Sequence, residues 1–166
     1  MGIYLNPGNK SYWEAVHSKI YVDKTGLIAY TNEFLNTREK YICVSRPRRF
    51  GKSMTLDMLA AYYSCGCDSG ELFKGFRIES HASFEEHLNK YDVLFLNMQR
   101  FLSRAKDQRV TDYLEKTVIA EIRKVYGDFC SEEESDLSVV LEQINVKTES
   151  HYILMLNQSD TVMPEK

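Results

Sequence analysis

Gly51-Lys52-Ser53 has the residue types and the spacing to hold phosphate. A glycine lets the backbone come close to an anion, the lysine after it reaches β/γ-phosphate oxygens, and the serine hydroxyl can join the shell of a divalent cation. The full pattern Gly-x-x-x-x-Gly-Lys-[Ser/Thr] asks for another glycine at position 46, where this chain carries Arg46. Arg48 and Arg49 lie in the same loop, ahead of Phe50, and guanidinium forks suit phosphate oxygens. The nucleotide-binding candidates are therefore Arg46, Arg48, Arg49, Phe50, Gly51, Lys52 and Ser53, with Ser53 also the candidate Mg²⁺ ligand. By average residue frequencies the tripeptide alone recurs in roughly one chain in ten of this length, so its neighbours must decide what it means.

Those neighbours have the order a phosphate site needs. Tyr41-Ile-Cys-Val-Ser45 is an apolar, β-rich run that predicts a buried strand. After Ser53, the residues Leu56, Leu59, Ala60 and Tyr63 fall at i, i+3, i+4 and i+7, one face of a helix predicted over 53–64. A loop leading into a helix N-terminus aims its amides at an anion, and the helix dipole favours negative charge there. The competing reading is a basic surface turn, with Lys52 a solvated first-turn residue and Arg48 and Arg49 plain surface cations.

Along the rest of the chain, helices and strands alternate. Residues 1–12, with Asn6-Pro7-Gly8-Asn9, read as an extended lead-in and turn. Asp23 or Thr25 can cap a helix of about 26–36, and within Asp23-Lys24-Thr25 a cap is favoured over a site. Cys65-Gly-Cys-Asp-Ser-Gly70 breaks the helix after the loop, Glu71–Gly75 reads as a short turn, and Phe84–Asn89 as one or two helical turns. Tyr91–Met98 is nearly continuously apolar, as expected of a strand covered on both faces.

A long helix follows over 108–127, with Val110, Tyr113, Leu114, Thr117, Val118 and Ile122 on one side. The acidic stretch 131–136 is expected to be solvated, and Leu137, Val140, Leu141 and Ile144 give a further helical face. Tyr152-Ile-Leu-Met-Leu156 is a third apolar strand. Strands separated by helices predict an α/β fold with a parallel sheet and flanking helices.

The chain has 166 residues, enough for one domain with a real core, and 43% apolar and 27% charged residues, ordinary for a soluble globular protein. The net charge of −3 is uneven. Residues 1–60 hold nine Lys/Arg against five Asp/Glu, with the excess centred on Arg46, Arg48, Arg49 and Lys52, which suits a polyphosphate. No stripe of Lys/Arg marks a nucleic-acid groove, and no apolar run approaches the ~18 residues of a membrane span. Cys43, Cys65, Cys67 and Cys130 lack zinc spacing, and reduced thiols with a cytoplasmic location are expected. His17, His81, His87 and His151 are scattered without ligand spacing, and the eleven Tyr and eight Phe read as core and interface material.

Taken together, Tyr21-Val-Asp-Lys-Thr25, Ser45-Arg-Pro-Arg-Arg-Phe-Gly-Lys-Ser53 and the Met/Leu-rich helix ending in Tyr62-Tyr63 resemble the AAA-ATPase-like P-loop domain of bacterial proteins, over nearly the whole chain. The resemblance implies ATP and Mg²⁺ as ligands, and it makes Arg46 a family trait. Many members of that family carry a PD-(D/E)xK nuclease-like region after this domain, so that region and self-association are the implied partners. The resemblance also divides the chain into a lead-in and capping helix (1–36) and a partial P-loop domain (37–166) that stops after the third core strand. In the family's sheet order a later strand lies between the loop strand and the next motif-bearing one.

That next motif is an apolar run followed by Asp-Glu-x-Asp, in which the Asp supports Mg²⁺ and the Glu polarises the attacking water. The matching stretch here is Ile153-Leu-Met-Leu-Asn157-Gln158-Ser159-Asp160. Asn157 and Gln158 keep the shape of Asp and Glu but lose both charges, and an amide neither takes a proton from water nor neutralises a cation. The alternative is that 157–166 is a divergent tail. Three functions therefore stand: an ATP-binding module with impaired hydrolysis, a non-hydrolysing interaction module, and a fragment without a nucleotide site.

Overall fold

A computed structural model describes residues 2–45, 47, 49–106, 108–129, 133–149 and 151–158. Among them are seven α-helices: α1 (Lys10–Val16), α2 (Gly26–Asn32), α3 (Lys52–Tyr63), α4 (Phe84–His87), α5 (Met98–Arg104), α6 (Val110–Tyr126) and α7 (Leu137–Thr148). Two strands, β1 (Asp92–Asn97) and β2 (Tyr152–Asn157), pair in parallel from Asp92 opposite Tyr152 to Asn97 opposite Asn157. The chain is thus α/β, with a two-stranded parallel sheet flanked by helices. A parallel pair needs a long connection between its strands, and α5, α6 and α7 supply it.

Side-chain alternation along β1 divides the core. Val93 and Phe95 face a cluster built with α1, α2, α3 and Met155 of β2, whereas Leu94 and Leu96 face Phe101, Val118, Ile119, Ile122, Val140 and Ile144. The second cluster uses the helical stripes expected over 108–127 and 137–144. Asp136 starts α7 by accepting from the amides of Ser138 (2.8 Å) and Val139 (3.3 Å). Helix α3 is buried on more than one side at its C-terminal end, where Met58, Ala60, Ala61, Tyr62 and Tyr63 are all in the core. Tyr63 bonds Thr31 and Asn32 of α2 through its hydroxyl (2.7 Å each), locking the end of α3 onto α2.

Four expectations need correction. Residues 41–45 form no strand: Tyr41 (87% exposed), Ile42 and Val44 lie at the surface. β-propensity is the ability to fit a paired, half-buried surface, and among the described residues no strand lies alongside this segment to supply one. The described sheet therefore has two strands where three were expected.

The lead-in is not wholly extended. Tyr4–Asn6 runs along the free edge of β1, with the Phe95 amide donating to the Tyr4 carbonyl (2.7 Å) and the Asn6 amide to that of Val93 (2.8 Å), and α1 begins at Lys10. Helix α2 stops at Asn32, short of residue 36, and the chain continues in three-residue turns such as Phe34 to Thr31 (3.1 Å). Helix α5 begins directly at the end of β1 because the Asn97 side chain accepts from the Arg100 amide (3.3 Å).

Candidate functional site

Helix α3 opens at Lys52, directly after Gly51. Gly51 adopts φ 78°, ψ 25°, a left-handed conformation that favours glycine, and its carbonyl accepts the first helical bond from Thr55 (2.9 Å). Arg49 also has a positive φ (67°), so the chain turns sharply into the helix. Phe50 is exposed, Lys52 half-buried and Ser53 exposed at this end. Arg46 and Arg48 lie outside the described residues.

Lys24 reaches this turn from a distant part of the sequence. Its ammonium donates to the Phe50 carbonyl (3.2 Å), and a Cβ placed on Gly51 would come within 2.6 Å of the Lys24 Nζ. The neighbouring residues hold it there. Asp23 Oδ1 accepts from the Thr25 amide (2.8 Å) and hydroxyl (2.7 Å), its Oδ2 accepts from the Arg77 amide (3.1 Å), and the Thr25 hydroxyl accepts from the Ile78 amide (3.2 Å). Burial pushes the Asp23 carboxyl up, but the bonds from Thr25 and Arg77 outweigh it and leave the group below the ordinary carboxylate range. Thr25 occupies the N-cap position of α2, yet its side chain makes no capping bond. Asp23-Lys24-Thr25 therefore acts less as a cap than as a clamp that ties α2 to the 3₁₀ turn Arg77–Ser80 and sets Lys24 against the loop.

The other wall of the site is the C-terminal end of the sheet. Asn157 closes β2, and its Nδ2 donates to the Ser53 hydroxyl at 3.1 Å across 104 residues of sequence. Gln158 follows, exposed. Ser53 and Asn157 line one cavity of about 290 Å³ together with Asn97, Asp57, Arg100 and Tyr4. Ligands of parallel α/β sheets bind outside the carboxyl ends of the strands, and this cavity lies there.

Asp57, one turn beyond Ser53 on α3, is half-buried. It has no hydrogen-bond or ion-pair partner among the described residues, and burial alone raises its pKa to about 6. Sequence reasoning missed Asp57, and it weighed Lys24 only within Asp23-Lys24-Thr25, where a cap was favoured over the nucleotide-proximal role that the family resemblance allows. An Asp four residues after Ser53 inside an apolar helix was the available signal for the first; the second depends on a tertiary approach that no local pattern carries.

A family model described as a predicted AAA-ATPase matches residues 11–165. No curated protein and no solved structure matches the chain. Among the described residues no helix is long and apolar enough to cross a membrane. With all but its first ten residues and its last under the family model, the chain belongs to the AAA-ATPase-like family of predicted ATPases.

Proposed function

We propose that this chain binds ATP through Arg46, Arg48, Arg49, Phe50, Gly51, Lys52 and Ser53, working as a P-loop, and that it hydrolyses ATP poorly. Family membership supports nucleotide binding. The observation that carries the finer reading is the Asn157–Ser53 hydrogen bond. It joins the end of the second apolar strand to the hydroxyl of Gly-Lys-Ser, the pairing that a P-loop site requires between its cation ligand and the residue that supports the cation.

The groups around Ser53 suit Mg²⁺. Hydroxyl, carboxylate and amide oxygens are hard donors, and the Ser53 oxygen keeps a second lone pair after accepting from Asn157. When bound beside Ser53, the ion would neutralise phosphate charge. Lys52 and the amides at the start of α3 would hold the phosphates, and Lys24 would add positive charge behind the turn. Asn157 can orient the Ser53 hydroxyl, but it supplies no anion. Gln158 can hydrogen-bond a water, but it cannot accept its proton. Loss of a general base typically costs ~10²–10⁴-fold in rate.

Titration with a fluorescent ATP analogue tests the binding half. Lys52→Ala is expected to weaken binding by ~1.5–3 kcal/mol, the range for charge-assisted bonds. An unchanged dissociation constant would put the phosphates elsewhere. Phosphate release tests the other half: wild type at the buffer rate, with turnover gained in Asn157→Asp/Gln158→Glu. Robust Mg²⁺-dependent turnover by the wild type that Lys52→Ala abolishes would contradict the assignment of Asn157 and Gln158.

A further inference from the structure

The two strand ends that meet the cavity, Asn97 and Asn157, both present neutral amides. Among the described residues lining it, Asp57 is the one carboxylate. Ser53 and Asp57 stand one turn apart on α3, a spacing that brings their Cβ atoms to about 5–6 Å and onto one helix face. A half-buried carboxylate without a partner is costly to keep in an apolar helix, and it invites a cation.

We propose that Asp57 supplies the carboxylate on the divalent-cation side of the site that Asn157 lacks, so that cation binding here depends on helix α3 where a family Asp-Glu motif would place it on the strand. This rests on the nucleotide reading above. Mg²⁺ binds through few carboxylates and keeps several of its waters, so Asp57 need only reach that water shell from one turn below Ser53. Relocating the anion restores charge for binding but leaves Gln158 without a basic partner, in keeping with binding that outlasts hydrolysis.

The test is titration of a fluorescent ATP analogue in excess Mg²⁺ and in EDTA, on wild type, Asp57→Asn, Asn157→Asp and the double variant. Asp57→Asn is isosteric and removes a charge that has no partner among the described residues, and its fold is checked by circular dichroism and melting. Mg²⁺ is expected to tighten wild-type binding about 10–100-fold, the range for groups that support a metal through its ligands. Asp57→Asn should lose most of that enhancement with its affinity in EDTA unchanged, and Asn157→Asp should restore it in the Asp57→Asn background. Full retention of the Mg²⁺ enhancement by Asp57→Asn, or its absence in the wild type, overturns the role of Asp57 while leaving nucleotide binding intact. No binding by the wild type in either condition overturns the nucleotide reading itself, and this proposal with it.

Discussion

The two walls of the site are built by different physics. The strand-end wall belongs to the core: Asn97 and Asn157 terminate a registered parallel pair whose side chains, Val93, Leu94, Leu96 and Met155, are buried. The loop wall follows an exposed segment, with Tyr41, Ile42 and Val44 at the surface, and it is held from behind by Lys24 and the Asp23–Thr25 clamp. One wall is positioned by a hydrogen-bonded ladder and a packed core, the other by a few tertiary contacts to one turn. The strand-terminal residues Asn97 and Asn157 are themselves neutral, with Arg100 of α5 beside them in the cavity, whereas Lys24 and Lys52 stand at the loop wall, which is held by fewer contacts.

The largest expected contrast is in stability. Met155→Ala, which opens a cavity under β2, should cost about 2–5 kcal/mol in denaturant unfolding. Val44→Ala on the exposed segment should stay within about 0.5 kcal/mol. A large loss at Val44 would mean that residues 41–45 are packed after all, and the contrast would fall.

Gly51→Ala probes the loop wall. The left-handed conformation costs a side chain about 1–2 kcal/mol, and the new Cβ would displace the Lys24 ammonium. In a Lys24→Ala background the same substitution should cost measurably less, since only the backbone penalty remains. Equal costs in both backgrounds would show that Lys24 does not hold the turn.

Asp57 gives a smaller effect with a definite sign. Its folded pKa of about 6 lies above the ordinary carboxylate value of the unfolded chain, so the folded state holds an extra proton between about pH 4 and 6. The stability this contributes is full at about pH 4 and is lost as the pH rises through about 6. Asp57→Asn should therefore be more stable than the wild type at pH 7, by about 1 kcal/mol for a solvent-screened group, and the difference should vanish near pH 4. A variant less stable than the wild type at pH 7 would mean that the carboxylate has a partner in solution.

Much of this organisation was legible in the sequence, for reasons that also explain the failures. Helices α6 and α7 declared themselves because Val118 and Ile122, or Val140 and Ile144, recur at a helical period and need a core to cover them. β1 and β2 were legible as apolar runs; β1 is covered on both faces as that signal implies, whereas β2 buries Met155 and leaves Leu154 and Leu156 exposed. Tyr41–Ser45 has the same composition but, among the described residues, no neighbouring strand, and composition cannot provide one. Helix α5 was lost because its start signal is the final residue of a strand, Asn97.

In the site, Gly51, Lys52 and Ser53 were legible from spacing, and Asn157 from its place after an apolar run. Asp57 carries only the signal of an acid one turn after Ser53 inside an apolar helix, and Lys24 acquires its position through tertiary contacts, its own to Phe50 and those of Asp23 and Thr25 to Arg77 and Ile78. Arg46 and Arg48, singled out by the loop pattern, lie outside the described residues and are proposed on that pattern alone.

The strand ends at Asn97 and Asn157 and the start of α3 are proposed to form one nucleotide site. The most direct measurement is the response of ¹⁵N-labelled protein to Mg·ATP, following the backbone amides of Gly51, Lys52 and Ser53 and the side-chain amides of Asn97 and Asn157. Both groups are expected to shift together along a single saturation curve, and Lys52→Ala to abolish the response at all five. Shifts confined to the loop with Asn157 unmoved, or no saturable response at either wall, would contradict it.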